Sequence, residues 1–361
     1  MSSLTLANVS SPSATVDARE LNVSDARWHD FVTRHPDALA FHRPEWVETI
    51  AACYGHRTLL LGAVNARGDV DAGVPVIEVR SLRRRRRWVA LPFTDSCPPL
   101  LGPSASSDAF AAALRTARTD AGIESFELRT QLALAPGVHH DSDAVIHTTR
   151  LTGSPENLFA RFHKSQVQRN VRRAERDGKL TIRRGVQPRD LTESYYRLHV
   201  QTRRRLGMPV QPRRFFESLW SHMLAPGHGQ LLLAEADGGR PVAGAVLLAG
   251  TRTLTYKYGA SDDAFWRLRP NNLLFWHALR TACEEGYDRF DWGRTDLGDH
   301  GLRAFKSGWA ADEQPLVYTT LADAPPKAES GRALAAARVV LRRSPAFACR
   351  LAGELLYRYA A

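Results

Sequence analysis

Lysine is rare in this chain, with five residues among 49 cationic side chains; all the others are arginine. One of the five, Lys306, stands in GLRAFKSGW between Gly301 and Gly308. A compact ammonium can approach an oxygen that is gaining negative charge more closely than a planar guanidinium can. That makes Lys306 a candidate for stabilising an oxyanion, against the plainer account of a solvated loop lysine. Upstream, Asp291 in FDWGRTD, followed by Asp296 and Asp299, offers a carboxylate for proton transfer. Asp291 would serve equally as a capping or strand-end residue. A third group is basic: Lys164, Arg169, Arg172, Arg173 and Arg176. Arg169, Arg173 and Arg176 follow i, i+4, i+7 spacing and share one helical face. Such a face fits phosphates, or is simply solvated. The run Arg83 to Arg87 adds bulk positive charge, and the net charge of +11 favours a polyanionic partner.

Other chemistries lack their residues. Cys53, Cys97, Cys283 and Cys349 lie far apart with no CxxC, so neither a disulfide framework nor a cysteine–zinc site is expected. There is no HExxH, no Ser/His/Asp order and no nucleophilic cysteine motif. His139, His140 and Asp141 form a loop cluster without a second ligand pair, and His277 on an apolar helix suits core packing. No metal site is expected. The N-terminal twenty residues have neither a basic start nor an apolar core, and no apolar run reaches membrane-spanning length. These features predict a cytoplasmic protein.

The elements that must position these groups occur twice. At 361 residues the chain is long enough for two domains, and 43% hydrophobic with 24% charged residues is a globular composition. LLLGAVNARGDVDAGVPVIEV and LLLAEADGGRPVAGAVLLAG are each an apolar run broken by a turn, the mark of a hairpin. A third strand follows each, over Arg86–Ser96 and Arg252–Asp262. A helix then ends at Gly122 in the first copy and at Gly286 in the second, and strands at 123–130 and 287–295 close the units. Between the copies, apolar spacing over Leu158–Gly178 predicts one amphipathic helix. After Pro325-Pro326, the tail has the pattern of two short basic amphipathic helices hinged at Pro345. It is expected to pack on the body, with interfacial membrane contact as the alternative.

KSQVQRNVRRAERDG, the helix end Thr202-Arg203-Arg204-Arg205-Leu206-Gly207, YKYGASD, RPNNLLFWHAL, FDWGRTD and GLRAFKSGW follow one another in this order. The series resembles the FemAB-like aminoacyl and peptidyl transferases, built from tandem GNAT-like domains, and the related BioF2-like acyltransferase domain. The resemblance covers roughly residues 25–320 and is strongest over 158–310. It implies an α/β fold of two tandem GNAT-like domains, each a mixed central sheet flanked by helices. A flexible N-terminus is expected over 1–16, the first domain over 17–150, the second, catalytic half over 151–322, and a basic helical tail over 323–361.

The resemblance also implies acyl transfer to an amine, most simply an aminoacyl group from aminoacyl-tRNA to a small-molecule or peptide acceptor. Lys306 matches the family lysine, and Asp291 is assigned with it to catalysis. Substrate contacts are expected from Lys164, Arg169, Asn170, Arg173, Thr202, Arg204, Tyr256, Lys257, Tyr258, Arg269, Asn271, Asn272 and Arg294. No cofactor is expected beyond the acyl donor as co-substrate. The loops that would hold a donor pyrophosphate at a helix N-terminus, Phe265–Asn272 and Pro103–Phe110, lack the Gly-x-Gly pattern that lets phosphate approach the backbone. That argues against acetyl-CoA. Two alternatives stay open: an N-acyltransferase using acyl-CoA or a carrier-protein thioester in polysaccharide, lipid or natural-product synthesis, and a non-catalytic nucleotide- or RNA-binding protein.

Overall fold

A computed structural model describes residues 17–80, 85–326 and 339–357. The expected N-terminal segment 1–16, part of the Arg83–Arg87 run and the first part of the tail lie outside the described residues.

In the first half the order is β1 (Arg19–Leu21), α1 (Ala26–Arg34), α2 (Pro44–Tyr54), the hairpin β2 (Arg57–Val64) and β3 (Val70–Arg80), β4 (Arg86–Val89) and the short β5 (Leu100–Leu101). Then come α3 (Ser107–Asp120), β6 (Ser125–Leu128) and β7 (Val138–Arg150). The second half repeats the plan. It opens with α4 (Pro155–Arg161), α5 (Arg169–Asp177) and β8 (Thr181–Arg184), then α6 (Tyr196–Leu206) and α7 (Arg213–Leu219). The hairpin β9 (Gly229–Ala236) and β10 (Arg240–Ala249), β11 (Thr253–Ser261), α8 (Pro270–Glu284) and β12 (Arg289–Asp296) follow. It closes with α9 (His300–Ser307) and β13 (Asp312–Ala322), and α10 (Ala346–Leu356) forms the tail.

The strands make one mixed sheet in the order β1-β2-β3-β4-β6-β13-β7-β12-β11-β10-β9-β8, with β5 paired to β3. That order is a pseudo-twofold. β1 to β4 and β6 answer β8 to β12 in turn, and among the described residues only β4/β6 and β11/β12 pair in parallel. The last strands are exchanged. β7, which follows the first unit, pairs with β12, and β13, which follows the second, pairs with β6. β7 and β13 also pair with each other, joining the two units edge to edge.

The core has three large parts and a small fourth one, Ala144, Leu316 and Tyr318 on β7 and β13. α1, α2, α6 and α7 pack between the two arms of the sheet, with Trp28, Trp46, Tyr54, Phe215, Phe216 and Tyr258 among the buried rings. α3 covers the other face of the first unit, and α5 with α8 the other face of the second. A sheet covered on both faces needs continuous rather than alternating apolar strands, and β3 is buried through ten of its eleven residues.

Several expectations change. The strand expected over Arg86–Ser96 ends at Val89, because Leu91 and Phe93 adopt left-handed backbone with φ near 62°. The single helix expected over Leu158–Gly178 is broken at Phe162, whose ψ of 153° is extended; Lys164–Gln168 then makes a π-turn into α5. The side-chain amide of Gln168 donates to Phe162 O (2.7 Å) and bridges the break. His139, His140 and Asp141 lie on β7 rather than in a loop. Lys306 is not in a loop after the last strand; it sits on α9, with β13 still to come. The expected glycine stops hold, with φ of 63° at Gly122 and 81° at Gly286.

Candidate active site

Where the parallel pair β11/β12 stops, a gap opens in the sheet. Pairing runs from Thr253 opposite Arg289 to Thr255 opposite Asp291, and then the strands diverge. Each strand carries an irregularity at that point. In β11, Leu247 and Val246 of β10 are opposed by Tyr256 and Tyr258, so Lys257 is an extra residue. A bulge of this kind turns successive side chains to new directions. Tyr256 joins the core under α8, Tyr258 the central core, and Lys257 enters the gap. In β12 the register with β7 shifts between Asp291 and Arg294, with Gly293 at φ 71°.

Four charged side chains meet there. Lys306 is 3% exposed and donates from Nζ to the bulge carbonyls Gly293 O (2.8 Å) and Arg294 O (3.1 Å). An ammonium has three N–H donors, so one remains. Asp291, also buried, accepts the Gly293 amide at Oδ1 (2.8 Å). Lys257 Nζ lies 3.5 Å from Asp95 Oδ1 and within 5.3–6.0 Å of the ring centres of Phe41, Trp46 and Tyr258. Asp95 comes from the first half, and its backbone carbonyl accepts the Tyr318 hydroxyl of β13 (2.8 Å).

Burial pushes the Asp291 carboxyl up to about 6. The Gly293 amide, Lys306 and Lys257 oppose that rise, while Asp95 adds to it. Burial lowers the Lys306 ammonium to about 8 against the pull of Asp95, Asp291 and Asp299. It lowers Lys257 as well, with Asp95 opposing. The buried charges of Lys306, Lys257 and Asp291, with half-buried Asp95 beside them, are tolerated together where one alone would not be. Opposed shifts in neighbouring groups are also how folds assign acid and base roles.

Gly293 is fixed by both backbone and space. Its φ is positive, and a Cβ there would lie 2.6 Å from Asp95 Oδ2. Gly293→Ala is therefore expected to cost about 1–3 kcal/mol of stability, read by denaturant unfolding; a loss below about 0.5 kcal/mol would show that the bulge relaxes freely.

A second feature adjoins the first. α8 starts at Pro270 behind Arg269, which is left-handed (φ 63°), and no described side chain caps it. The N–H groups of its first turn thus face an open cavity of about 220 Å³ lined by Asn170, Trp266, Arg269, Asn271, Asn272 and Phe305. Arg269 Nε donates to Asn170 Oδ1 (3.2 Å), tying this cradle to α5. In the first half the matching helix end is closed, because Ser106 Oγ accepts the Ala109 amide. α9 links cradle and gap: Phe305 lines the one and Lys306 enters the other.

The remaining candidates spread out. Lys164, Arg169, Arg173 and Arg176 are exposed, with Arg173 and Arg176 near Asp177 (3.5 and 3.9 Å). Arg294 pairs with Asp143 (2.9 Å) and Asp296 (3.0 Å). Thr202 is buried and its hydroxyl accepts the Ser261 amide (3.0 Å), clasping α6 to the end of β11. Arg204 turns outward and donates to Ser344 O (2.9 Å) in the tail. Asp95 was not among the sequence candidates. The signal was a polar Thr-Asp-Ser step next to prolines, which marks a turn rather than strand.

Residues 161–307 match the family model described as an acetyltransferase (GNAT) domain. FemX has the same fold, with a TM-score of 0.68 at 16% identity over 83% of this chain and 96% of FemX. The chain is an acyltransferase that carries a GNAT domain over residues 161–307 and has the fold seen in FemX. The L-PGS of Bacillus licheniformis aligns with it at a TM-score of 0.54 and 12% identity, over 90% of this chain and 98% of that one. A tandem GNAT protein from the clavulanic acid biosynthesis pathway aligns at 0.51 and 13%, over 86% and 100%. No sequence among curated proteins matches the acyltransferase. No helix among its described residues is long and apolar enough to cross a membrane.

Proposed function

We propose that this acyltransferase moves an aminoacyl group from aminoacyl-tRNA to the amine of a small-molecule or peptide acceptor. The observation that carries the reading is the cradle at the start of α8. Uncapped N–H groups, Arg269 and two asparagines suit a phosphate, yet no glycine lets a pyrophosphate press against the backbone. The exposed arginine face of α5 continues from the cradle through Asn170, as a long polyanionic donor needs. FemX and L-PGS share the fold.

In the reaction the acceptor nitrogen attacks the ester carbonyl carbon. A C–N bond forms, the oxygen becomes an oxyanion, and the C–O bond to the tRNA hydroxyl then breaks. Lys306 places its third N–H on the oxyanion. Asp291 takes the proton from the attacking amine and returns it to the departing ribose oxygen, which leaves as the tRNA hydroxyl. Lys257 and Asp95 hold the shape and charge of the gap.

The deciding experiment supplies carbonyl-labelled aminoacyl-tRNAs and acyl-CoA esters in parallel with a panel of amine acceptors. Label passing from tRNA to amine is expected. Transfer from acyl-CoA alone would favour the thioester reading, and transfer from neither donor would overturn both. Replacing Arg169, Arg173 and Arg176 by alanine is expected to raise the donor KM and flatten its salt dependence. Each lost phosphate contact should lower the log–log slope by roughly 0.7 to 0.9. An unchanged slope would remove the α5 face from donor binding.

A further inference from the structure

The tail helix α10 has two apolar lines on opposite sides. Cys349, Gly353 and Tyr357, spaced i, i+4, i+8, are its packed line. Gly353 lies so close to Val210 that a Cβ would overlap the Val210 carbonyl. The Tyr357 hydroxyl donates to Pro209 O (3.2 Å), and Arg214 pairs with Glu354. About half a turn away run Phe347, Leu351 and Leu355, which are 69%, 59% and 60% exposed. Val339 and Val340, in the turn before the Pro345 break, are also exposed, by 49% and 63%. The fold already satisfies the packed line, so core formation does not explain the outer one. Large apolar side chains gathered on one exposed face mark a contact surface.

A second observation concerns charge. Beside the stripe, between α6 and α10, runs a groove of about 530 Å³ lined by Arg197, Arg213 and Arg350 together with Glu193 and Glu354. Arg213 is paired with Glu193 and Glu217, which leaves Arg197 and Arg350 as its cations without an acidic partner among the described residues. Arg342 and Arg343 are exposed just before α10. Between residues 339 and 357 the only acid is Glu354, which is paired to Arg214.

We propose that this face seats the protein on an anionic lipid surface. α10 lies in the plane of the interface, with Phe347, Leu351 and Leu355 in the acyl boundary and the surrounding arginines at headgroup phosphates. A second copy of the chain suits the face less well. An isologous contact would set the same arginines against each other, and one helical stripe supplies little of the roughly 800 Å² per partner that a standard interface buries. The inference is independent of the donor chosen by the active site.

The test is sedimentation of the full chain with equimolar phosphatidylglycerol–phosphatidylcholine vesicles and with pure phosphatidylcholine vesicles. Binding is expected to the first and to be at least about 10-fold weaker to the second, and to fall with added salt. The combined variant Phe347→Ser, Leu351→Ser and Leu355→Ser should lose at least about 10-fold in partitioning, with its melting temperature unchanged because those side chains are exposed. Light scattering runs alongside. Absent vesicle binding, or binding that the triple variant leaves unaltered, overturns the proposal. So does concentration-dependent dimerisation that the variant abolishes, which would assign the stripe to a second copy.

Discussion

Lys306→Ala is expected to lower kcat by about 10²- to 10³-fold, the usual cost of removing one oxyanion donor, while donor and acceptor still bind. The interaction exists mainly in the transition state, so KM should move little. The geometry sharpens the test, because Lys306 also holds two carbonyls of the β12 bulge. Its removal leaves buried acceptors unpaired at about 1–3 kcal/mol, so some stability will be lost with the rate. Lys306→Arg separates the two effects. A guanidinium can still reach the carbonyls and keep the charge, yet it is too broad to point one donor at the same oxygen. Stability should therefore recover in Lys306→Arg while the rate stays low. Gly293→Ala is the converse control, since it disturbs the bulge and leaves the ammonium in place. Single-turnover rates with bound donor provide the readout. Turnover within about threefold of wild type in folded Lys306→Ala would take the lysine out of the chemistry.

The repeat that frames this site was legible where each element is locally consistent. α3 and α8 announce themselves by helical spacing and a terminal glycine, and the β9–β10 hairpin by apolar runs around Asp237-Gly238-Gly239. β7 and β13 were not legible, and their composition explains why. β7 runs through His139, His140, Asp141 and Asp143 with exposed residues in its first half, so neither a continuous nor an alternating apolar pattern appears. Its partners are β12 and β13, which lie far along the chain. Pairing across such separations leaves no local trace. Lys306 and Asp291 were found by residue type within a motif. Asp95 was hidden inside an expected strand that two left-handed residues interrupt. The direction of Lys257 depends on a bulge that only the register with β10 reveals. Local chemistry named half of the charged quartet's roles, and long-range topology supplied the rest.

Asp291→Asn is expected to abolish most turnover, about 10²- to 10⁴-fold if the carboxylate is the general base, and to stabilise the fold at neutral pH. The second effect follows from the direction of the shift. Asp291 is raised in the folded protein from 3.8 to about 6, so between these values the unfolded chain releases its proton first. Stability is lost as pH rises through that window and is not regained above it. Lys306 behaves in the mirror sense. Lowered from 10.5 to about 8, it costs stability as pH falls through that range and keeps costing below it. Between about pH 6 and 8 both groups are charged and both weigh against the fold. That same window is where a carboxylate base and an ammonium donor coexist, so kcat/KM should form a bell there, rising on the Asp291 limb and falling on the Lys306 limb. The carboxamide oxygen of the Asp291→Asn variant could still accept the Gly293 amide, which keeps the bulge but removes the titration. Melting curves from pH 4 to 9 should then diverge between variant and wild type, with the gap opening between about pH 4 and 6 and staying open above. Parallel melting curves, or an Asp291→Asn enzyme that retains wild-type turnover, would sink the assignment of Asp291 as base. Asp291 would then serve the β12 bulge alone, through the Gly293 amide.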